Sequence, residues 1–142
     1  MKKLYSIIIL AFISFLNAVY LTIEAFRLKA WVTSEFICDI NAQLSCSWLF
    51  TFDFPRIFGV VPFPLIAMFV YPIIATVAFL WVKWKCKKPF LPLLIIAILW
   101  MLFNSYFIFN EYLVWVYCPA CLACSIAITT IAIISAFWIV KK

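Results

Sequence analysis

Apolar residues fall in four long blocks separated by shorter polar stretches, and nowhere does the chain alternate polar with apolar over the length of a membrane-spanning strand. The blocks cover residues 4–26, 60–84, 91–109 and 117–140. A bilayer core about 30 Å thick takes roughly 20 residues of helix, so each block is long enough to span it. In hydrocarbon every backbone N–H and C=O must find its partner inside the helix or inside a closed barrel. The missing alternation excludes barrel strands. The pattern therefore predicts an all-α integral membrane protein, a four-transmembrane-helix bundle forming one membrane domain over residues 1–142. Residues 27–59 make a long loop on one side, and a tight turn around residues 110–116 lies on the same side.

Prolines punctuate the spans. Pro55, Pro62 and Pro64 flank the start of the second, Pro89 and Pro92 open the third, and Pro119 lies in the first turn of the fourth. A missing N–H costs little in a first turn. Pro72 lies deep in the second span, where membrane helices tolerate it. Met1-Lys2-Lys3 and the apolar stretch after it have the outline of a secretory signal peptide, with residues 16–18 in the place of a cleavage site. The run continues through Val19, Tyr20, Leu21 and Ile23, too long for such a segment, and its removal would leave an odd number of spans. It reads as the first span.

Composition narrows the picture further. Of 142 residues, 70% are hydrophobic, 11% are charged and one is glycine, far from the usage of soluble domains. Mean hydropathy is +1.22, and the length leaves no room for a second, soluble domain. The net charge of +6 has a definite distribution. Eight of the eleven basic residues are Lys2, Lys3, Lys83, Lys85, Lys87, Lys88, Lys141 and Lys142, all on the side that holds the termini and the middle hinge. That side is expected to be cytoplasmic. In the long loop Arg27, Lys29 and Arg56 balance Glu35, Asp39 and Asp53. The charge is thus a topology signal and gives no reason to expect nucleic acid binding. The short Met-Lys-Lys start suits a prokaryotic plasma membrane, with the endoplasmic reticulum as the alternative.

The candidate chemistry is in sulfur. Cys38 and Cys46 lie in the outer loop, Cys118 and Cys121 at the outer end of the fourth span, Cys86 in the cytoplasmic hinge, and Cys124 one turn below Cys121. A lone membrane cysteine is usually a small hydrophobe, and Cys86 and Cys124 read that way. Cys118-Pro-Ala-Cys121 differs. Two thiols three residues apart share a helix face and can close a disulfide, and a helix N-terminus favours a nucleophilic thiol. Zinc is the rival for four cysteines. Only one pair has the short spacing, though, and the chain has no histidine, so no metal is expected. At a rise of 1.5 Å per residue, Cys121 lies about 4.5 Å deeper than Cys118. The loop can then reach Cys118, and a lipid-soluble quinone can reach Cys121. Disulfide exchange passes through a mixed disulfide, so a relay needs a mobile thiol. Cys46 suits that part, and Cys38, further out, suits contact with an external protein.

Cys38-Asp39, then Ser45-Cys46-Ser47, then Phe58-Gly59, then Cys118-x-x-Cys121 at the head of the last helix, together resemble the vitamin K epoxide reductase family. The likeness runs from the first span to the last. It implies that Cys38 takes electrons from a thioredoxin-fold partner in the outer compartment, that Cys46 passes them to Cys118, and that Cys121 attacks the quinone. It also implies a disulfide between Cys38 and Cys46 in the oxidised loop. Vertebrate members have a tyrosine near the quinone four residues after the second helical cysteine, where this chain has Ser125. Reduction of a vitamin K-like quinone, menaquinone or ubiquinone coupled to disulfide formation is therefore expected, rather than reduction of the epoxide specifically. Many bacterial members carry a fused thioredoxin domain; this chain is expected to use a separate partner.

Quinone contacts are expected from Phe50, Thr51, Phe58, Gly59 and Ser125. Ser125 shares a helix face with Cys118 and Cys121, though a serine also commonly bonds back to its own helix. Trp48, Phe50, Phe52, Phe54 and Phe58 make the loop after Cys46 apolar, which suits a half-helix cap over the bundle. Two other readings compete. One is the unrelated bacterial quinone-linked disulfide generator, which also has four spans but carries its short-spaced cysteine pair in the first outer loop. The other is a non-catalytic or metal-binding membrane subunit.

Overall fold

A computed structural model describes residues 2–29, 39–46, 56–57, 61–84 and 90–140. Four helices carry the fold: α1 (Lys2–Lys29), α2 (Phe63–Trp84), α3 (Phe90–Val114) and α4 (Pro119–Val140). All four are long and apolar enough to cross a membrane. The protein is an all-α membrane bundle. Between α1 and α2, β1 (Arg56–Ile57) and β2 (Val61–Pro62) pair antiparallel, Arg56 opposite Pro62 and Ile57 opposite Val61. The half-helix expected around Trp48 to Phe58 falls largely outside the described residues. Of the described residues on either side, Cys46 is helical and Arg56–Ile57 is strand, and the second span begins at Phe63.

Each helix buries a stripe at steps of three and four residues, the spacing of one helix face. On α1 the stripe is Leu4, Ile7, Ala11, Ser14, Ala18 and Leu21, and on α2 it is Phe63, Ala67, Tyr71, Ile74 and Ala78. On α3 it is Leu93, Ala97, Trp100, Asn104 and Phe107, and on α4 it is Cys121, Cys124, Ile128, Ile131 and Ser135. Alanine, serine and cysteine are frequent in these stripes, whereas Ile9, Phe12, Phe69, Phe79, Leu99, Leu102, Ile126 and Ile133 point outward. Lipid is as apolar as leucine, so close backbone approach, not hydrophobicity, selects the buried face.

Polar groups pin the helices together. Asn17 Nδ2 on α1 donates to Ala120 O (2.8 Å) and to Cys124 Sγ (3.0 Å) on α4, and Tyr71 Oη on α2 donates to Cys124 O (3.3 Å). Such bonds contribute about 0.6 kcal/mol each within a membrane. Phe63 joins α2 to α3 by stacking on Trp100 (centroids 5.4 Å apart) and touching Phe107 (4.1 Å).

The turn between α3 and α4 is shorter than its polar residues suggest. A turn is expected from Asn110, but α3 continues to Val114. It ends in a Schellman arrangement: Trp115 takes a left-handed φ of 57°, its N–H donates to Tyr112 O (3.3 Å), and the Val116 N–H donates to Glu111 O (3.3 Å). Asn110 and Glu111 are consequently buried on helix.

Candidate active site

The segment 39–46 is shaped by its own side chains. Asn41 Oδ1 accepts the N–H groups of Gln43 and Leu44, both at 2.9 Å, and Ser45 Oγ donates to Asp39 Oδ1 at 2.8 Å. Asparagine favours such turns because its side chain can stand in for a backbone acceptor. The segment then docks on the residue before Cys118. Tyr117 N–H donates to Gln43 O (2.7 Å), Ser45 N–H donates to Tyr117 O (3.0 Å), and Leu44 and Tyr117 form a parallel bridge. Just past this bridge, two residues after Leu44 and one after Tyr117, the sulfurs meet: Cys46 Sγ lies 3.0 Å from Cys118 Sγ, and neither residue is exposed. Cys46 is disulfide-bonded, whereas Cys118, Cys121 and Cys124 are free thiols.

Cys118 occupies the N-cap position of α4. Its carbonyl accepts the Leu122 N–H (3.0 Å) and its Sγ accepts the Cys121 N–H (3.3 Å), as a serine or aspartate oxygen does at other helix starts. Pro119 follows at the first helical position, where its fixed φ suits the helix. The Cys118 N–H donates to Glu111 Oε2 at 3.4 Å. The cap therefore holds both cysteine sulfurs at the head of α4 and links them to α3.

Cys121 turns inward from this point. With Cys124 it lines a cleft walled by Phe63, Tyr71, Trp100 and Asn104. The space inside is about 10 Å³, enough for one water, so a ring can enter only if the wall parts. Trp100 Nε1 is buried there and has no hydrogen-bond partner among the described residues. The arrangement is a two-ended dithiol: Cys118 touches a disulfide sulfur of the loop, and Cys121 faces a cleft between membrane helices.

The model of the vitamin K epoxide reductase family matches residues 5–136. The chain belongs to that family. No curated protein matches it. Membership makes it a multi-pass membrane oxidoreductase.

The residues expected of a family site separate into three groups. Cys46, Cys118 and Cys121 are brought together. Ser125 lies one turn below Cys121, and its Oγ donates to Cys121 O (3.1 Å) and approaches Asn104 Oδ1 (3.3 Å). Cys38, Phe50, Thr51, Phe58 and Gly59 lie outside the described residues. Among the described residues no group of three or more histidine, cysteine, aspartate or glutamate side chains is arranged to hold a metal ion. Three polar residues around the site are not singled out by the sequence reading: Glu111 at the Cys118 N–H, Asn104 in the cleft, and Asn17 on Ala120 O and Cys124 Sγ. Each is a polar residue within or at the end of an apolar span, which is the signal that marks them, since polar side chains at membrane depth face the bundle interior.

Proposed function

We propose that the protein reduces a membrane quinone of the vitamin K, menaquinone or ubiquinone kind and uses the oxidising power gained to make disulfides in a thioredoxin-fold partner. The observation that carries the reading is the 3.0 Å approach of Cys46 to Cys118, with Cys121 on the cleft side of the same dithiol. A partner dithiol attacks the Cys38–Cys46 disulfide at Cys38 and leaves oxidised, with two thiols left on the loop. Cys46 then attacks Cys118 in the oxidised helical pair, forming a Cys46–Cys118 disulfide and releasing Cys121 as thiolate. Attack of Cys38 on Cys46 restores the loop disulfide and frees Cys118. The pair, now reduced, gives two electrons and two protons to the quinone and closes again as Cys118–Cys121.

A disulfide-bonded Cys46 beside free helical thiols supports this order of steps, since it is the combination expected just before the last one. The lysine distribution supports cytoplasmic termini and a loop on the outer side of a prokaryotic plasma membrane.

The test is reduction of a soluble quinone analogue by the purified chain, with dithiothreitol as electron source. Cys121→Ala is expected to lower the rate at least about 100-fold, the scale lost when a nucleophile is removed. Activity in that variant close to that of the unsubstituted chain would sink the reading. A Cys46→Ser chain incubated with outer-compartment proteins is expected to retain a mixed disulfide at Cys38, identifiable by mass spectrometry.

A further inference from the structure

Glu111 is a carboxyl group that none of these steps uses, and only 1% of it is exposed. Removing a carboxylate from water costs several kcal/mol unless its surroundings compensate, and an ionisable side chain at membrane depth marks a functional site by default. Its side chain accepts the Cys118 N–H at 3.4 Å, and Cys118 Sγ in turn accepts the Cys121 N–H at 3.3 Å. The other described carboxyls are engaged elsewhere: Glu24 pairs with Arg27 at 3.0 Å, and Asp39 accepts the Ser45 hydroxyl. The chain has no histidine. Both helical thiols are buried, so a protein group is needed to receive their protons, and Glu111 is the described carboxylate joined to the head of the pair, at the Cys118 N–H.

We propose that Glu111 is the proton-exchange residue of the Cys118, Cys121 dithiol. The inference rests on the quinone-reducing reading. In the first half, the Cys121 thiol gives its proton to the Glu111 carboxylate and its sulfur bonds to a ring carbon. The electron pair displaced onto a ring oxygen then takes that proton back from Glu111. In the second half, the Cys118 thiol gives its proton to the same carboxylate, and its sulfur bonds to that of Cys121. The carbon–sulfur bond breaks with its electron pair going to the ring, and Glu111 delivers the second proton. Two thiols and a quinone become a disulfide and a hydroquinone, and the carboxylate ends as it began.

A purely structural role makes a different prediction, because the carboxyl also caps the Cys118 N–H. Glutamine keeps an acceptor oxygen there but cannot take a proton. Glu111→Gln is expected to slow quinone reduction by about 100-fold or more, the usual contribution of a positioned acid–base group. Glu111→Asp should recover part of the rate, and the thermal midpoint of the glutamine variant should stay at that of the unsubstituted chain. Alkylation of Cys118 and Cys121 by N-ethylmaleimide, followed by mass spectrometry, reads proton removal without any quinone. It is expected to slow at least about 10-fold in the glutamine variant, because the buried thiols lose their proton acceptor; faster alkylation would show the carboxylate acting only as a like charge beside the thiolate and would overturn the inference. If Glu111→Gln matches the unsubstituted chain in both assays while Glu111→Ala is impaired, the residue is a cap and the inference falls, with the quinone reading intact. If the unsubstituted chain reduces no quinone and alkylation still depends on Glu111, the quinone reading falls and proton exchange with the thiols stands.

Discussion

Ser125 has one hydroxyl proton, and it is directed at the Cys121 carbonyl one turn back, with Asn104 Oδ1 as a second acceptor nearby. A serine bonded this way has little left to offer a quinone carbonyl. Ser125→Ala is accordingly expected to change the rate of quinone reduction by less than about 3-fold, within the net worth of one hydrogen bond. Steady-state turnover checks this, and a loss of 30-fold or more would show the hydroxyl reorienting to the substrate. At this scale the sequence is informative only where spacing is local. Cys118 and Cys121 are legible as a pair because three residues on a helix fix their relation. Cys46 meets Cys118 across 72 positions of sequence, and no periodicity encodes that; the resemblance to known relatives supplies it. Glu111 escapes notice for a different reason. A polar pair at the end of an apolar run looks like the start of a turn, and only the hydrogen bond to the Cys118 N–H shows why it is kept on helix.

Helix ends and the docked loop decide whether these residues meet. Trp115 closes α3 in a left-handed conformation usually left to glycine, in a chain with a single glycine. Such a conformation costs a non-glycine residue about 1 kcal/mol and a β-branched one more. Trp115→Val is therefore expected to lower the thermal midpoint by several degrees, and Trp115→Gly to spare it; equal losses would mean that the indole's exposed surface matters more than its backbone. Asn41 does comparable work on the other side of the contact, since its Oδ1 holds two N–H groups of the segment that carries Cys46. Asn41→Ala should leave the helical thiols unchanged in quinone reduction driven by direct reduction of the pair. It should slow transfer from the loop, read as the rate at which Cys46 forms a disulfide with Cys118. The four spans themselves are legible from length and hydropathy. Their ends are not, because a Schellman closure and a side-chain cap override what polar residues suggest by composition.

For the whole molecule, the unreadable part is which face of each span is buried. All four helices are apolar around their circumference, so binary patterning, the usual guide to a helix interface, is silent. The size of side chains carries the information instead. Neighbouring positions on α2 make the point testable: Ala78 is fully buried in the bundle core, while Phe79 is 57% exposed on the lipid-facing side. Ala78→Leu adds volume where helix backbones approach, and overpacking of this kind costs about 1–3 kcal/mol. Phe79→Leu exchanges one lipid-facing apolar group for another and should stay within about 0.5 kcal/mol of neutral, as surface changes do. Both positions lie well down α2 from the cleft-lining Phe63, Ala67 and Tyr71, so neither should alter the rate per folded molecule. Thermal unfolding in detergent, followed by the accessibility of buried Cys124 to a thiol reagent, separates the two. A larger loss from Phe79→Leu than from Ala78→Leu would mean that α2 is rotated about its axis, and that the cleft beside Cys121 has a different wall.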